Sequence, residues 1–365
     1  MRHRVVGAAL LVFSVAAPAV ATAQVPAIAL KPANATLAAE FAGIASVREL
    51  ADGRLLITDW RENRLVVADM RTGSTTAVSR KGSGPGEFQY VGSLLALGGD
   101  STLVPDRQFR RWLLLRGDVV VATIPAESPA LKAAGSMLMG ADYSGRVLAA
   151  RPWLGVNGKS FRAADSLLLV RVHRATGRAD TLGRLRSPYE RGQATHLPNG
   201  ASEVSVPPLA VGDQALLFPD GWIAIARLEP YLVEWHTADG RVVRGAALPF
   251  PPVKVNDREK SAYRARYAKS FANPPPLPDA GWPATLPSFD SGALLASADG
   301  RLVIAHMPSA DAGYARYDVV DRRGTLAGQV SLTDGARIVG FGVRSVYVSM
   351  TNDDGIERLQ RHPWP

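Results

Sequence analysis

The sequence predicts an all-β chain folded as a single six-bladed β-propeller of four-stranded antiparallel blades. Three observations support this fold class. A short turn-and-strand pattern recurs six times, and most intervals between copies are close to the length of one propeller blade. The two ends of the chain also offer strands that could complete one blade together.

The recurring pattern is a turn containing Gly or Asp, then four or five mainly apolar residues, then a polar residue. Glycine accepts the positive φ of a tight turn, and the apolar, β-branched run after it favours a buried strand. Each copy therefore predicts the second strand of a hairpin. The six copies are Asp52–Asp59, Asp100–Asp106, Ser144–Arg151, Asp220–Arg227, Asp299–His306 and Arg344–Met350.

The residues around each copy complete a four-stranded unit. An apolar segment precedes most of the turns, a third strand such as Arg64–Asp69 follows, and a fourth such as Thr75–Ser79 closes the unit. Four antiparallel strands in roughly 40–50 residues are typical of a propeller blade. Two β-sandwiches or a β-barrel are the alternatives, and the sixfold recurrence favours the propeller over both.

Two intervals between turns are about 30 residues longer than a blade requires. The excess lies at about 184–207, which is polar and lacks strand periodicity, and at about 251–287, which contains a predicted short helix at Asn256–Phe271. Both are interpreted as surface insertions in one domain, residues 24–365. At the N-terminus, Ala35–Phe41 is predicted to supply the fourth strand of the last blade, which hides two open sheet edges.

Residues 1–23 have the composition of a cleaved signal peptide. Arg2 and Arg4 precede an apolar run at Val5–Val20, which ends in the Ala21-Thr22-Ala23 pattern. The chain has no cysteine, which excludes disulfides, thiolate metal sites and a lipid-anchored cysteine. The sequence therefore predicts a periplasmic or secreted protein with no membrane span, no cofactor and a monomeric state.

The chain is basic, with 42 Lys+Arg against 33 Asp+Glu and a formal net charge of +9. Such a balance is typical of proteins that bind nucleic acids or anionic surfaces. Here the positive charges are scattered singly along the chain, with no basic run longer than pairs such as Arg80-Lys81. Nucleic-acid binding is therefore not predicted.

Two segments carry a resemblance to a known family. Lys81–Phe88 resembles the linker between blades of NHL-repeat-like six-bladed propellers, and Tyr314–Gly324 is similar to the closing blades of exported bacterial six-bladed propellers of undefined activity. The resemblance covers most of the chain after residue 23. It implies the fold and the exported state, and it implies no activity and no site residues.

Familiar catalytic motifs are missing from the sequence. The glycine-rich Gly82–Gly86 is followed by Glu87 and a strand rather than by Lys and a helix, so it is interpreted as a turn rather than a phosphate loop. No G-x-S-x-G elbow and no H-E-x-x-H occur. Asp353-Asp354 lies in a predicted hairpin turn, where Asp is a turn former before it is a calcium ligand.

The repeat itself gives the candidate site. Equivalent positions in a propeller face the same mouth, and most positions six residues past each turn are ionisable; the exception is Met350. Arginine and carboxylate groups there could bind an anionic or zwitterionic ligand, with tryptophan packing on its apolar part. The candidate ligand-binding residues are Asp59, Trp60, Asp106, Arg107, Arg151, Trp153, Arg227 and His306.

Two functions remain open at this point. The first is an exported, non-enzymatic binding or scaffold propeller that recognises a small molecule, a glycan or an envelope protein at the mouth of its central channel, with no catalytic or metal-binding residue. The alternative is a metal-dependent propeller hydrolase or lyase, similar to a lactonase. Elemental analysis, with thermal melts in calcium, zinc and chelator, would distinguish the two.

Overall fold

The computed structural model describes residues 25–135, 137–152, 156–157, 160–161, 165–188, 193–196, 202–269, 274 and 276–365. The predicted signal peptide therefore lies outside the described residues. Regular structure in the described part is almost entirely β, with the two helices α1 (Pro129–Ala134) and α2 (Asp257–Lys269). Neither helix is long and apolar enough to cross a membrane.

The first two sheets each contain four strands in chain order. Strand β1 (Ala35–Phe41) comes first in the chain and belongs to the last sheet, and the strands of the first two sheets are β2 (Ile44–Glu49), β3 (Leu55–Asp59), β4 (Arg64–Asp69), β5 (Ser74–Ser79), β6 (Leu95–Ala96), β7 (Ser101–Asp106), β8 (Arg111–Arg116) and β9 (Val119–Ile124). The first sheet has the order β2-β3-β4-β5 and the second has β6-β7-β8-β9. All neighbouring strands in both sheets are antiparallel.

The middle of the chain forms an eight-stranded sheet and two small hairpins. The strands are β10 (Leu138–Ala141), β11 (Arg146–Pro152), β12 (Val156–Asn157), β13 (Ser160–Phe161), β14 (Ser166–His173), β15 (Ala179–Arg186), β16 (Gln193–His196), β17 (Ser202–Ser205), β18 (Gln214–Leu217), β19 (Ile223–Arg227), β20 (Leu232–His236) and β21 (Val242–Arg244). The eight-stranded order is β15-β14-β11-β10-β18-β19-β20-β21, and β12-β13 and β16-β17 pair separately.

Two predictions for this region are corrected. Separate four-stranded units were expected, but β10 and β18 form one parallel bridge through Gly140 and Leu217. A Cβ on Gly140 would lie 2.5 Å from the Leu217 carbonyl oxygen, so the two backbones can approach only because glycine has no side chain. The stretch 184–207 was expected to lack strands, yet it contains β16 and β17. Backbone groups can pair in a hairpin without an alternating side-chain pattern.

The last two sheets again contain four strands each. Their strands are β22 (Phe289–Ala296), β23 (Leu302–His306), β24 (Tyr314–Val320), β25 (Leu326–Thr333), β26 (Ala336–Gly342), β27 (Ser345–Thr351) and β28 (Glu357–Pro363). One sheet has the order β22-β23-β24-β25 and the other β1-β28-β27-β26. The predicted pairing of Ala35–Phe41 with the final strand is confirmed, since Ala35 lies opposite Arg361 and Phe41 opposite Glu357.

The second strand of each sheet is an apolar run because both of its faces are buried. In β3, Leu55 and Ile57 pack in a cluster shared with the last sheet, whereas Leu56 packs in a cluster shared with the second sheet. Successive side chains of a strand point to opposite faces, so alternate residues meet different neighbours. Further clusters join the other consecutive sheets. The predicted fold class is confirmed as far as an all-β chain with several four-stranded antiparallel sheets.

The two helices are positioned by local signals. The Asn256 side chain accepts a hydrogen bond from the Glu259 N–H (3.0 Å) and caps α2, which begins one residue and ends two residues inside the predicted 256–271. Helix α1 was not predicted. It has Ser128 as its N-cap, and its apolar residues Ala130 and Leu131 complete the cluster between the second and third sheets.

Candidate functional site

The carboxylate of Asp59 is buried at the end of β3 and is saturated by donors. It accepts hydrogen bonds from the backbone N–H groups of Ala42 (3.0 Å) and Gly43 (3.1 Å), which begin the first sheet. The N–H groups of the turn after β3 and the guanidinium of Arg64 (3.0 Å) also contact it. Asp59 therefore joins the end of one strand to the start of another, and its oxygens are already occupied.

Asp106 has the same role in the second sheet. Its buried carboxylate accepts from the N–H groups of Gln89 (3.1 Å) and Tyr90 (3.3 Å) and pairs with Arg111 (3.3 Å). Arg111 also donates to carbonyl oxygens of the glycine-rich linker, including that of Glu87 (2.6 Å). Both acidic members of the predicted ring thus anchor backbone, with no oxygen directed to a ligand.

The carboxylate of Glu87 is bound by groups of the glycine-rich linker to which it belongs. The Glu87 carboxylate accepts hydrogen bonds from the Gly84 N–H (2.8 Å) and the Arg80 guanidinium (2.6 Å). The backbone hydrogen bond from Gly84 and the contact with Arg80 hold the pKa of Glu87 below its usual value. A backbone N–H that a phosphate loop would offer to a ligand is here bound by a side chain of the loop itself.

Arg227, at the end of β19, lies between two carboxylates. It contacts Asp213 (2.9 Å) and Glu234 (2.7 Å) in ion pairs. Burial opposes its charge, but the hydrogen bonds to both carboxylates raise the pKa of Arg227 above its ordinary value. Asp213 also accepts from the Leu228 N–H (3.0 Å), so this cluster again fastens a strand end to a loop.

His306, at the end of β23, faces the fully buried Asp318. Its Nε2 lies 2.9 Å from Asp318 Oδ2, although the two atoms are not aligned for a hydrogen bond. The same oxygen accepts a hydrogen bond from the Tyr231 hydroxyl (2.7 Å), and Gln329 donates to Oδ1 (2.8 Å). Burial and the neighbouring Asp318 raise the pKa of Tyr231 well above its usual value.

The remaining predicted residues lie closer to solvent. Arg107 and Arg151 are exposed, and within the described residues neither makes an ion pair or hydrogen bond. Trp60 is half-buried beneath the guanidinium of Arg61, 5.0 Å from its ring centroid. Trp153 lies outside the described residues. Of the predicted ring, Arg107 and Arg151 therefore present free charges, and their role in binding stays a prediction.

A cavity beside the inserted loops of the fourth and fifth predicted units was not predicted. It has a volume of about 530 Å³ and lies where the loops before β18, after β21 and before β22 meet the turn between β19 and β20. We call it the proline-lined cavity. Its lining residues are mostly apolar in type, among them Pro207, Pro230, Pro252, Pro283, Tyr231 and Phe250, but more of the surface that they expose to the cavity is polar than apolar. The sequence signal that could have located it is the density of proline on both sides of the sheet β18–β21.

Two polar features lie in the walls of the proline-lined cavity. Ser288 is 4% exposed, and its hydroxyl has no hydrogen-bond partner among the described residues. Arg186 and Glu229 form an ion pair of 2.8 Å within the lining. The ion pair is therefore open to the cavity, whereas the Ser288 hydroxyl is buried behind its surface.

A smaller cavity of about 200 Å³ lies at the starts of the inner strands. We call it the channel cavity. Its lining joins three consecutive sheets, through Ala45 of β2, Ser93 before β6 and Leu138 of β10. Tyr90 and Arg107 line it as well. Among the described members of the predicted ligand-binding set, Arg107 alone lines this cavity.

The described ranges contain no group of three or more His, Asp or Glu side chains placed to hold a metal ion. Asp353 and Asp354 are exposed in the turn between β27 and β28. There the Asn352 side chain accepts from the Ile356 N–H (2.9 Å), in agreement with the predicted hairpin.

The structure resembles several solved proteins at low sequence identity. A catalytically inactive virginiamycin B lyase from Staphylococcus aureus is 10% identical, with a TM-score of 0.43, and the match covers 88% of this chain and 95% of that chain. A member of the DUF4221 family from Bacteroides vulgatus is 9% identical (TM-score 0.45; 91% and 94% covered). Regucalcin, a calcium-binding protein from Agrobacterium tumefaciens, is 11% identical (TM-score 0.37; 94% and 98% covered).

No protein-family model and no curated protein matches the sequence. Identities near 10% and TM-scores below 0.5 transfer neither activity nor site residues to this chain.

Proposed function

We propose that this chain is an exported six-bladed β-propeller that binds a small, uncharged organic molecule with both apolar and hydrogen-bonding parts in the proline-lined cavity. The observation that carries the proposal is the cavity itself, with its volume of about 530 Å³ and its proline-rich lining. Small-molecule sites are typically apolar clefts of roughly 300–1,000 Å³ with a few well-placed polar groups.

Six blades are supported by the sheet pattern and by the packing. Six sets of four antiparallel strands follow one another if the eight-stranded sheet is divided at its single parallel bridge. A buried cluster lies between each consecutive pair, and one further cluster packs Leu37 of the last sheet against Ile44 of the first. Export is supported by the signal-peptide pattern of residues 1–23.

The apolar part of the walls favours an occupant of fixed shape. Proline rings have little conformational freedom to lose, and Tyr231 and Phe250 pack edge-to-face (6.2 Å between ring centroids) within the lining. Preorganised walls lower the entropic cost of binding. Burying apolar ligand surface against them contributes about 25 cal/mol for each Å² removed from water.

The charges of the cavity favour an uncharged occupant. Arg186 and Glu229 neutralise each other in their ion pair, and an incoming charge would have to compete with that contact. More than half of the surface exposed to the cavity is polar, so we expect the ligand to carry hydrogen-bonding groups beside its apolar part.

The test uses the neutral fluorescent probe N-phenyl-1-naphthylamine, titrated into the purified protein. We expect saturable binding of one probe molecule, weakened about tenfold or more by Ala210→Phe, which adds a ring in the cavity lining. The matched control is Ala122→Phe, on the exposed face of β9 away from the cavity. Absence of saturable binding, or equal affinity of the two variants, would overturn the proposal.

A further inference from the structure

A second opening differs from the proline-lined cavity in both position and chemistry. The channel cavity lies among the starts of inner strands of the first three sheets, whereas the proline-lined cavity lies beside β18–β22. The residues described for the two linings do not overlap. Any ligand at the channel cavity would therefore bind independently of the function proposed above.

Arg107 supplies an uncompensated positive charge to the channel cavity. It is exposed in the turn between β7 and β8, and the described residues provide it with no ion pair or hydrogen bond. Its neighbour Asp106 cannot neutralise it, because that carboxylate is buried and already accepts from two backbone N–H groups and Arg111. Arg111 is likewise committed, to Asp106 and to the carbonyl oxygens of the linker.

Two further unused donors line the same opening. The hydroxyls of Tyr90 and Ser93 belong to exposed residues of the lining, and within the described part neither has a hydrogen-bond partner. Hydroxyl groups can donate to an anion, and the planar guanidinium of arginine matches the two oxygens of a carboxylate or phosphate. Arg107, Tyr90 and Ser93 thus form a set of donors with no acceptor of their own.

The volume limits what can enter. About 200 Å³ corresponds to the share of liquid volume of roughly six or seven water molecules. That is below the roughly 300 Å³ at which sites for whole drug-sized ligands begin. The channel cavity can therefore enclose a small anionic group, while the remainder of a larger ligand would lie outside it.

We infer that the channel cavity is an anion site, which binds the carboxylate or phosphate group of a small molecule through Arg107, Tyr90 and Ser93. Charge-assisted hydrogen bonds from arginine are roughly twice as strong as those between neutral groups. Arg107 therefore supplies most of the affinity, and the two hydroxyls orient the anion.

Calorimetric titration of the full purified chain tests this inference, with inorganic phosphate, glucuronate and uncharged glucose as probes. We expect both anions to bind saturably and glucose not to bind. Comparing phosphate with glucuronate shows whether the site takes the free anion or an acidic sugar. The variant Arg107→Gln is expected to weaken anion binding about tenfold or more, and Ser93→Ala less.

The control variant is Arg110→Gln, which removes an exposed arginine of the same turn that does not line the cavity. It should change affinity less than about twofold, because a distant surface charge acts only through screened solvent. An equal loss of anion affinity in Arg107→Gln and Arg110→Gln would mean that anions are attracted only by the overall positive charge of the protein, which would overturn the inference. The absence of binding of either anion would overturn it as well. N-phenyl-1-naphthylamine reports on the proline-lined cavity, so it should bind to Arg107→Gln as it binds to the unaltered protein. This measurement tests the proposed function separately from the anion site.

Discussion

Asp59 and Asp106 occupy equivalent positions in neighbouring sheets, and each carboxylate accepts hydrogen bonds from the backbone N–H groups of the residues 17 and 16 positions before it. Each also pairs with an arginine at the start of the following strand, Arg64 or Arg111. At β3 and β7, the acidic residue that ends the second strand therefore fixes that strand to the backbone before the first strand of its sheet.

We expect Asp59→Ala to lower the free energy of unfolding by more than about 2 kcal/mol. The substitution leaves several backbone N–H groups at the sheet start without an acceptor, and each buried unsatisfied donor costs about 1–3 kcal/mol. Urea denaturation followed by circular dichroism measures the change. Asp353→Ala, at an exposed turn, is the control and should change stability by less than about 0.5 kcal/mol. Similar effects of the two variants would contradict the role assigned to Asp59.

Glu259 fixes α2 to the sheet β22–β25. Its buried carboxylate accepts from the Ser309 hydroxyl (2.7 Å) and the Ala310 N–H (3.0 Å). We expect Glu259→Ala to increase hydrogen exchange in α2 at least about tenfold while exchange in β23 stays slow, since local opening needs less free energy than global unfolding. Asp257→Ala, on the exposed side of the same helix, is the control. Unchanged protection of α2 would show that other contacts hold it.

Tyr231 and Tyr347 should make stability fall at high pH. Burial raises the pKa of both, and Glu49 adds to the effect at Tyr347, whose hydroxyl donates to it (2.6 Å). A tyrosine whose pKa is higher in the folded than in the unfolded state stabilises the fold as the pH changes in one direction only. Its contribution is complete below the pKa of the unfolded state, near 10, and is lost as the pH rises above that value. Above that pH, each tyrosine lowers the free energy of unfolding by up to about 1.4 kcal/mol per pH unit.

Denaturation series between pH 9 and 11.5 would measure this slope. The variant Tyr347→Phe removes one of the two ionisable groups, so its loss of stability per pH unit above about 10 should be smaller than that of the unaltered chain. Parallel curves for the two proteins would contradict the assignment. Absorbance at 295 nm provides a direct check, because Tyr231 and Tyr347, together with the third buried tyrosine, Tyr317, should titrate only on unfolding.

Gly140→Ala should disrupt the joint between β10 and β18. Its Cβ would meet backbone atoms of Leu217 at 2.5–2.9 Å, which cannot yield as a flexible side chain could. We expect a loss of about 3 kcal/mol or more, from strained backbone conformation and overpacking together. Gly183→Ala is the control, because Gly183 also has a positive φ (150°) in a strand but no atom near its absent Cβ. If Gly183→Ala lost as much stability as Gly140→Ala, the positive φ alone would explain the effect, and the close approach of β10 and β18 would not.

The strands could be predicted from the sequence because their pattern is local. In β19 every residue between the turn and the final Arg227 is apolar, and in β3 the apolar run Leu55–Ile57 is followed by the buried Thr58 and Asp59, since both faces of these strands pack against neighbouring sheets. The glycine that begins each hairpin is equally local: Gly53 has a φ of 82°, as the tight turn requires. Helix α1 was missed because six residues give too short a pattern for a helical period.

The candidate site could be predicted only in part. Arg107 was selected because it follows a strand end, and it does line an opening. Asp59 and Asp106 were selected by the same rule, but their oxygens are taken by backbone N–H groups 16 and 17 residues away. The position of a side chain in a repeat does not reveal which backbone donors the preceding linker will bring to it.

The sequence by itself determined the β class, the order of the strands and the pairing of the two chain ends, because turn glycines and apolar runs act within a few residues. Only the tertiary structure decided where the cavities lie and which polar groups remain unused. The proline-lined cavity is formed by loops that are far apart in the chain and have no periodicity, so its shape depends on how the sheets carry those loops. The free charge of Arg107 and the unpartnered hydroxyl of Ser288 likewise follow from which neighbours packing brings close.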